Sequence, residues 1–155
     1  RIDIIDASLN SFGINQIKET YKKSVVLNKF INKEIGNNIV SSYKRASNIL
    51  AYESNDKELE ISNSVDPELF KSEYEKNLYK KILELRKYFV GVNKDENFEL
   101  TLKNLAETKK VIFDFFDNVK VNDEDKTIQK NRLELLNMLC KTFDNYIIFS
   151  SIESL

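Results

Sequence analysis

Histidine is absent from the 155 residues. That removes the Ser-His-Asp and Cys-His arrangements and the usual general base near neutral pH. Cys140 is the only cysteine, so no intrachain disulfide can form, and the chain suits a reducing cytoplasm. One cysteine without histidine also argues against a zinc site. Cys140 falls beside an apolar stripe and reads as a small buried core thiol. Three glycines and one proline disfavour a turn-rich all-β chain and favour long helices. No run approaches the ~18 apolar residues of a membrane span. No basic stretch followed by an apolar one marks a signal peptide. Neither GxGxxG nor GxxxxGK followed by Ser or Thr occurs, so the usual phosphate-cradling loops are missing. The chain starts at Arg1 and not at Met, which fits an excised or internal piece of something longer, or processing.

What is present suits one domain with one core. The net charge of −1 argues against indiscriminate polyanion binding. It is unevenly distributed: residues 1–50 carry +4 and residues 51–155 carry −5. Either a locally basic face sits on a neutral molecule, or the charges are scattered over solvated helix faces.

Hydrophobic spacing predicts successive helices. The first covers about Ile2 to Phe12. The second runs from about Ile14 into the early thirties, with Ile14, Ile17, Tyr21, Val25 and Asn28 as its stripe. The third covers about Asn37 to Tyr52 on Ile39, Tyr43, Ala46 and Leu50, which turns Lys44, Arg45 and Asn48 away from that line. Glu53 to Val65 is polar and aperiodic and reads as a loop. Asp66-Pro67-Glu68 reads as the start of a helix that runs to Val90 through Phe70, Tyr74, Leu78, Ile82, Leu85 and Phe89, with Asp66 as cap. Asn93 to Glu96 form a turn. The next helix carries Phe98, Leu102, Leu105, Ile112, Phe113 and Phe116, and its aromatic last turn reads as core rather than as a base-stacking platform. The final helix opens near Asp125 and is lined by Ile128, Leu135, Leu136, Leu139, Phe143, Tyr146 and Ile147. Gly13, Gly36 and Gly91 read as helix-terminal punctuation.

Arg132 falls on the apolar line of that last helix, where a charge is costly to bury unless paired. Asp114 and Asp117 are its natural carboxylate partners. Asn122-Asp123-Glu124-Asp125 lacks the glycine and terminal glutamate of a calcium loop, and acids before a helix N-terminus are explained by the dipole, so no metal site is expected.

Four runs, taken together and in order, resemble the C-terminal region of bacterial glycyl-tRNA synthetase β subunits. They are Lys44-Arg45-Ala46-Ser47-Asn48-Ile49-Leu50, Asp66-Pro67-Glu68-Leu69-Phe70, Phe115-Phe116-Asp117-Asn118-Val119-Lys120-Val121 and Asn131-Arg132-Leu133-Glu134-Leu135-Leu136. The resemblance extends from about Ile2 to Ser151. It implies an all-α helical bundle, an anticodon-binding domain of the DALR type, named after an Asp-Ala-Leu-Arg motif of arginyl-tRNA synthetases. That string is absent here; Lys130-Asn131-Arg132-Leu133 stands at a comparable helix opening. The resemblance further implies a single tRNA-binding domain from the C-terminal part of a longer, cytoplasmic β subunit. Its partners would be glycine tRNA and a catalytic α subunit, with no membrane and no DNA. The fragment itself would be non-catalytic and without cofactor, while the parent enzyme uses ATP and Mg²⁺.

Glycine anticodons share cytosines at their second and third positions. An unpaired cytosine offers one amino donor and two acceptors, which call for carbonyl or carboxylate, for Arg, Lys or Asn, and for a plane to stack on. Arg45, Asn48, Asn118 and Asn131 are the candidate edge readers. Lys44, Lys120 and Lys126 are candidate phosphate contacts, which position RNA without reading it. Arg132 either locks the helix opening through an ion pair, the favoured reading, or touches RNA. Asn118 either caps the turn after Asp117 or reads a base. The rival class is a helical protein-interaction module without RNA readout.

Overall fold

The computed structural model describes residues 2–12, 17–53, 61–62, 64–91 and 98–152, with backbone alone for 9–12 and 17–19. Among these residues the fold is all-α, with no strand. The helices are α1 (Ile2–Phe12), α2 (Ile17–Ile31), α3 (Glu34–Glu53), α4 (Glu73–Gly91), α5 (Phe98–Ala106), α6 (Lys109–Asn118) and α7 (Lys126–Asp144). Short 3-10 turns occupy Pro67–Leu69 and Phe149–Ser151.

Helix α7 is the axis of the bundle. Leu133, Leu135, Leu136, Leu139 and Phe143 are all buried on it, too broad an apolar sector for a helix with one wet face. It packs against α3 and α4. Phe143 and Phe149 lie against the Tyr43 ring, and Phe115 contributes a further fully buried aromatic from α6. Tyr43 hydroxyl donates to Asp144 Oδ2 at 2.7 Å. Burial and that carboxylate push the phenol well above its usual range, so it stays a donor. Cys140 is buried and its thiol is pushed up to about 12 by burial, as a core thiol should be.

The directions of the helices follow from their contacts. Gln129 at the start of α7 meets Glu53 at the end of α3, and Asp144 at the end of α7 meets Tyr43, so the two run antiparallel. Glu75, Arg86 and Phe89 of α4 meet Arg132, Thr142 and Tyr146 in that order, so α4 and α7 run parallel. Lys109 approaches Glu34, and Arg45 lies over Phe116, so α3 and α6 run parallel. The C-termini of α3 and α6 therefore share one pole of the bundle with the N-termini of α4 and α7.

Several expected elements are corrected. The helix expected from Asp66 begins only at Glu73. Asp66 does cap, accepting from Glu68 N at 3.0 Å, but it caps a single 3-10 turn. A second start signal stands at Ser72. Its Oγ accepts from Glu75 N at 3.4 Å, while Glu75 Oε2 accepts from Ser72 N at 2.7 Å. This is a Ser-x-x-Glu capping box, and it starts α4. The helix expected through Phe98 and Phe116 is two helices. Thr108 is buried and donates its hydroxyl to Leu105 O at 2.6 Å, closing α5 before α6 opens. Phe113 on α6 is turned partly to solvent.

The stripe expected for α2 is rotated. Tyr21 and Val25 are exposed, while Leu27 and Ile31 are buried. Gly36 lies within the first turn of α3 and does not close α2: a Cβ there would stand 2.1 Å from Phe30 O. It is needed because two backbones approach closely. Gly13, the Asn93–Glu96 turn and most of the Glu53–Val65 loop lie outside the described residues.

Candidate nucleic-acid interface

At the shared pole the first half of α7 carries an unusual set of buried polar groups: Gln129, Asn131, Arg132 and Glu134. Buried polar groups must find partners, and each of these reaches a different piece of chain. Gln129 Nε2 donates to Glu53 Oε2 at 3.1 Å. Asn131 Oδ1 accepts from Asp66 N at 2.8 Å, and its Nδ2 donates to Asp66 O at 2.9 Å. Glu134 accepts from the Ser62 amide and, at 2.9 Å, from the Ser62 hydroxyl.

Arg132 is the centre of this set. Its Nε donates to Glu75 Oε1 at 2.8 Å, and its Nη1 donates to Asp123 Oδ2 at 2.6 Å and Lys120 O at 2.8 Å. Glu75 is also held by the amides of Lys71 and Ser72 and the Ser72 hydroxyl. Burial alone would raise the Glu75 carboxyl and weaken the Arg132 charge. The hydrogen bonds between them outweigh it: Glu75 lies below its usual range and Arg132 above. Asp123 is lowered by the Asp125 amide and by Arg132.

The expected ion pair therefore exists, with other partners. Asp114 is taken by Lys110 at 2.7 Å, and Asp117 is exposed at the last turn of α6. The sequence run 122–125 is likewise accounted for: Asp123 holds Arg132, and Asp125 caps α7 by accepting from Thr127 N at 2.9 Å.

Above this scaffold lies an open cleft of about 510 Å³, lined by Arg45, Ile49 and Glu53 of α3 and by residues 116–122. Its floor is Phe116, 7 % exposed, with the Arg45 guanidinium 4.4 Å above the ring centroid. A cation over an aromatic face is held there electrostatically. Phe116 is thus core, as the sequence reading expects, and its ring carries the Arg45 guanidinium.

Of the candidate residues, the cleft brings together Arg45, Asn118 and Lys120. Asn118 Nδ2 donates to Asp114 O at 2.8 Å, which leaves Oδ1 as its outward acceptor. Asn48 is exposed one turn beyond Arg45, and Lys44 lies beside it half-buried; neither lines the cleft. Lys126 is exposed at the first turn of α7, 3.0 Å from Gln129 Oε1. Asn131, expected as an edge reader, is buried with both ends of its amide on Asp66. Arg132 lies under the cleft, joined to it through the Lys120 carbonyl.

Glu75, Asp123 and Glu134 had no expected role at this pole. The Ser72-Glu73-Tyr74-Glu75 spacing was the readable signal for the first; nothing local marked the role of the other two.

The fold is thus an all-α bundle with an open cleft of mixed lining, floored by an aromatic ring that carries an arginine. The sequence pattern of the DALR anticodon binding domain matches residues 39–149. The chain belongs to that family. It is also 32% identical, over 143 residues, to the glycine–tRNA ligase β subunit of Rickettsia typhi, a match covering 92% of this chain and 21% of the relative. The β subunit of Rickettsia bellii is 37% identical over 124 residues, covering 80% of this chain and 17% of the relative. The chain thus spans about a fifth of the length of the curated relatives it matches.

Proposed function

We propose that this chain is the anticodon-binding domain of a glycyl-tRNA synthetase β subunit and holds glycine tRNA by the unpaired cytosines of its anticodon. In this reading the domain itself makes and breaks no bond. It positions tRNA in the cytoplasm for a catalytic α subunit, whose active site uses ATP and Mg²⁺. The carrying observation is the cleft between the ends of α3 and α6, with Arg45 stacked on Phe116 and Asn118 and Lys120 beside it. An unstacked base needs a plane and edge partners, and the cleft offers both within one open space. Lys44, Lys120 and Lys126 supply phosphate contacts around it. Asn48 extends the reading edge along α3, and Asn131 and Arg132 support the cleft from below.

The family match favours this reading over a helical protein-interaction module. A gel shift tests it: glycine tRNA is compared with the same tRNA carrying altered anticodon cytosines. Binding of the first and loss of the second is expected. Equal binding of both would overturn anticodon readout and leave the interaction module as the account.

A further inference from the structure

Two carboxylates line a cleft offered to a polyanion, Glu53 and Asp117. A negative charge there opposes phosphate, so each needs a reason. Glu53 has one, since it receives the Gln129 amide at 3.1 Å and joins α3 to α7. Asp117 has none among the described residues. It is exposed, and no hydrogen bond or ion pair ties it to any of them. It stands in the last turn of α6, where the helix dipole disfavours an anion. The partner that the sequence suggested for it, Arg132, is engaged with Glu75 and Asp123. Its neighbour Asn118 is fixed back onto Asp114 O, and Phe116, the residue before it, carries the Arg45 guanidinium.

We infer that Asp117 is a specificity-determining residue: its carboxylate accepts the exocyclic amino group of one cytosine whose ring stacks on the outer face of Arg45. The inference rests on the anticodon reading above. A carboxylate has acceptors only. It satisfies the cytosine amino donor, and it meets uracil's carbonyl at the same ring position with repulsion. Stacking on Arg45 accepts any base, so the choice of cytosine falls to the carboxylate.

The test measures this chain's affinity for a glycine anticodon stem-loop and for two others, with uracil replacing the second or the third anticodon base. The wild-type chain is expected to prefer cytosine at both positions. Asp117→Asn offers a donor as well as an acceptor, so it is expected to reduce the cytosine preference by about tenfold at one position only. Asp117→Ala is expected to weaken cytosine binding at that same position. Both variants should melt at or slightly above the wild type, as the residue is exposed, tied to no described residue and unfavourably placed in the helix dipole. If the wild type discriminates and Asp117→Asn keeps both ratios, the role of Asp117 is overturned and anticodon readout stands. If the wild type binds all three RNAs equally, anticodon readout falls and this inference with it.

Discussion

Arg132 sits where its chemistry is decided by burial. It is 7 % exposed and bonded to Glu75, Asp123 and the Lys120 carbonyl. Removing one member of a buried pair leaves the other charge uncompensated, typically at about 3–5 kcal/mol. Arg132→Ala should therefore lower the melting temperature in calorimetry by roughly 10 °C. A variant that melts with the wild type but no longer binds RNA would make Arg132 a ligand contact instead. The same network sets an acid limit on the fold. Glu75 is held below its usual carboxyl range by Arg132 and Ser72. Its contribution is complete above the unfolded value of about 4.3 and is lost as pH falls through the lower folded value. Asp144 is raised by burial, so its contribution has the opposite sign and declines as pH rises. Glu75→Gln should thus be less stable at neutral pH and lose less of its stability than the wild type on acidification below about 4.3. Parallel stability curves for the two would remove Glu75 from acid unfolding.

At the scale of elements, start and stop chemistry was partly legible. Asp125 opens α7 where the sequence placed it, because a capping aspartate acts only on the next few amides. Asp66 met the same local rule and still misled, since the rule fixes a first turn and says nothing of the turns beyond it. The break after Phe70 is imposed by Glu75, which draws back the amides of Lys71 and Ser72. The α5–α6 division was invisible to periodicity, as apolar residues continue on both sides of Thr108. For α2 the 3–4 spacing fitted two faces, and only its packing against α1, α3 and α5 selects Leu27 and Ile31. Gly36 gives this corner a test with opposing signs. Helix propensity alone would reward Gly36→Ala by about 1 kcal/mol. The 2.1 Å approach to Phe30 O reverses this, and urea denaturation should show a net loss of about 1–3 kcal/mol. A higher midpoint would mean that α2 and α3 part at little cost.

For the whole molecule, the succession of helices and most of the α7 core were written in the spacing of apolar residues, while the all-α domain class came from the family resemblance. The pole was legible through Phe116, Asn118 and Arg132, but not through the long-range partners that build it. Glu75 and Arg132 are 57 positions apart, and Ser62 and Glu134 are 72 apart. No local pattern encodes such pairs. Together with the Gln129–Glu53 bond and the Arg132 bonds to Lys120 O and Asp123, they tie α3, α4 and the segment after α6 to α7, so that cleft residues from separate helices keep a fixed spacing.

The central claim is that RNA is held at this pole and not elsewhere on the bundle. At 18.2 kDa the chain is suited to residue-by-residue amide NMR during titration with a glycine anticodon stem-loop. The largest shifts are expected in residues 45–53 and 116–126. Shifts concentrated instead on α1, α2 and α5, with the cleft residues unmoved, would contradict the account.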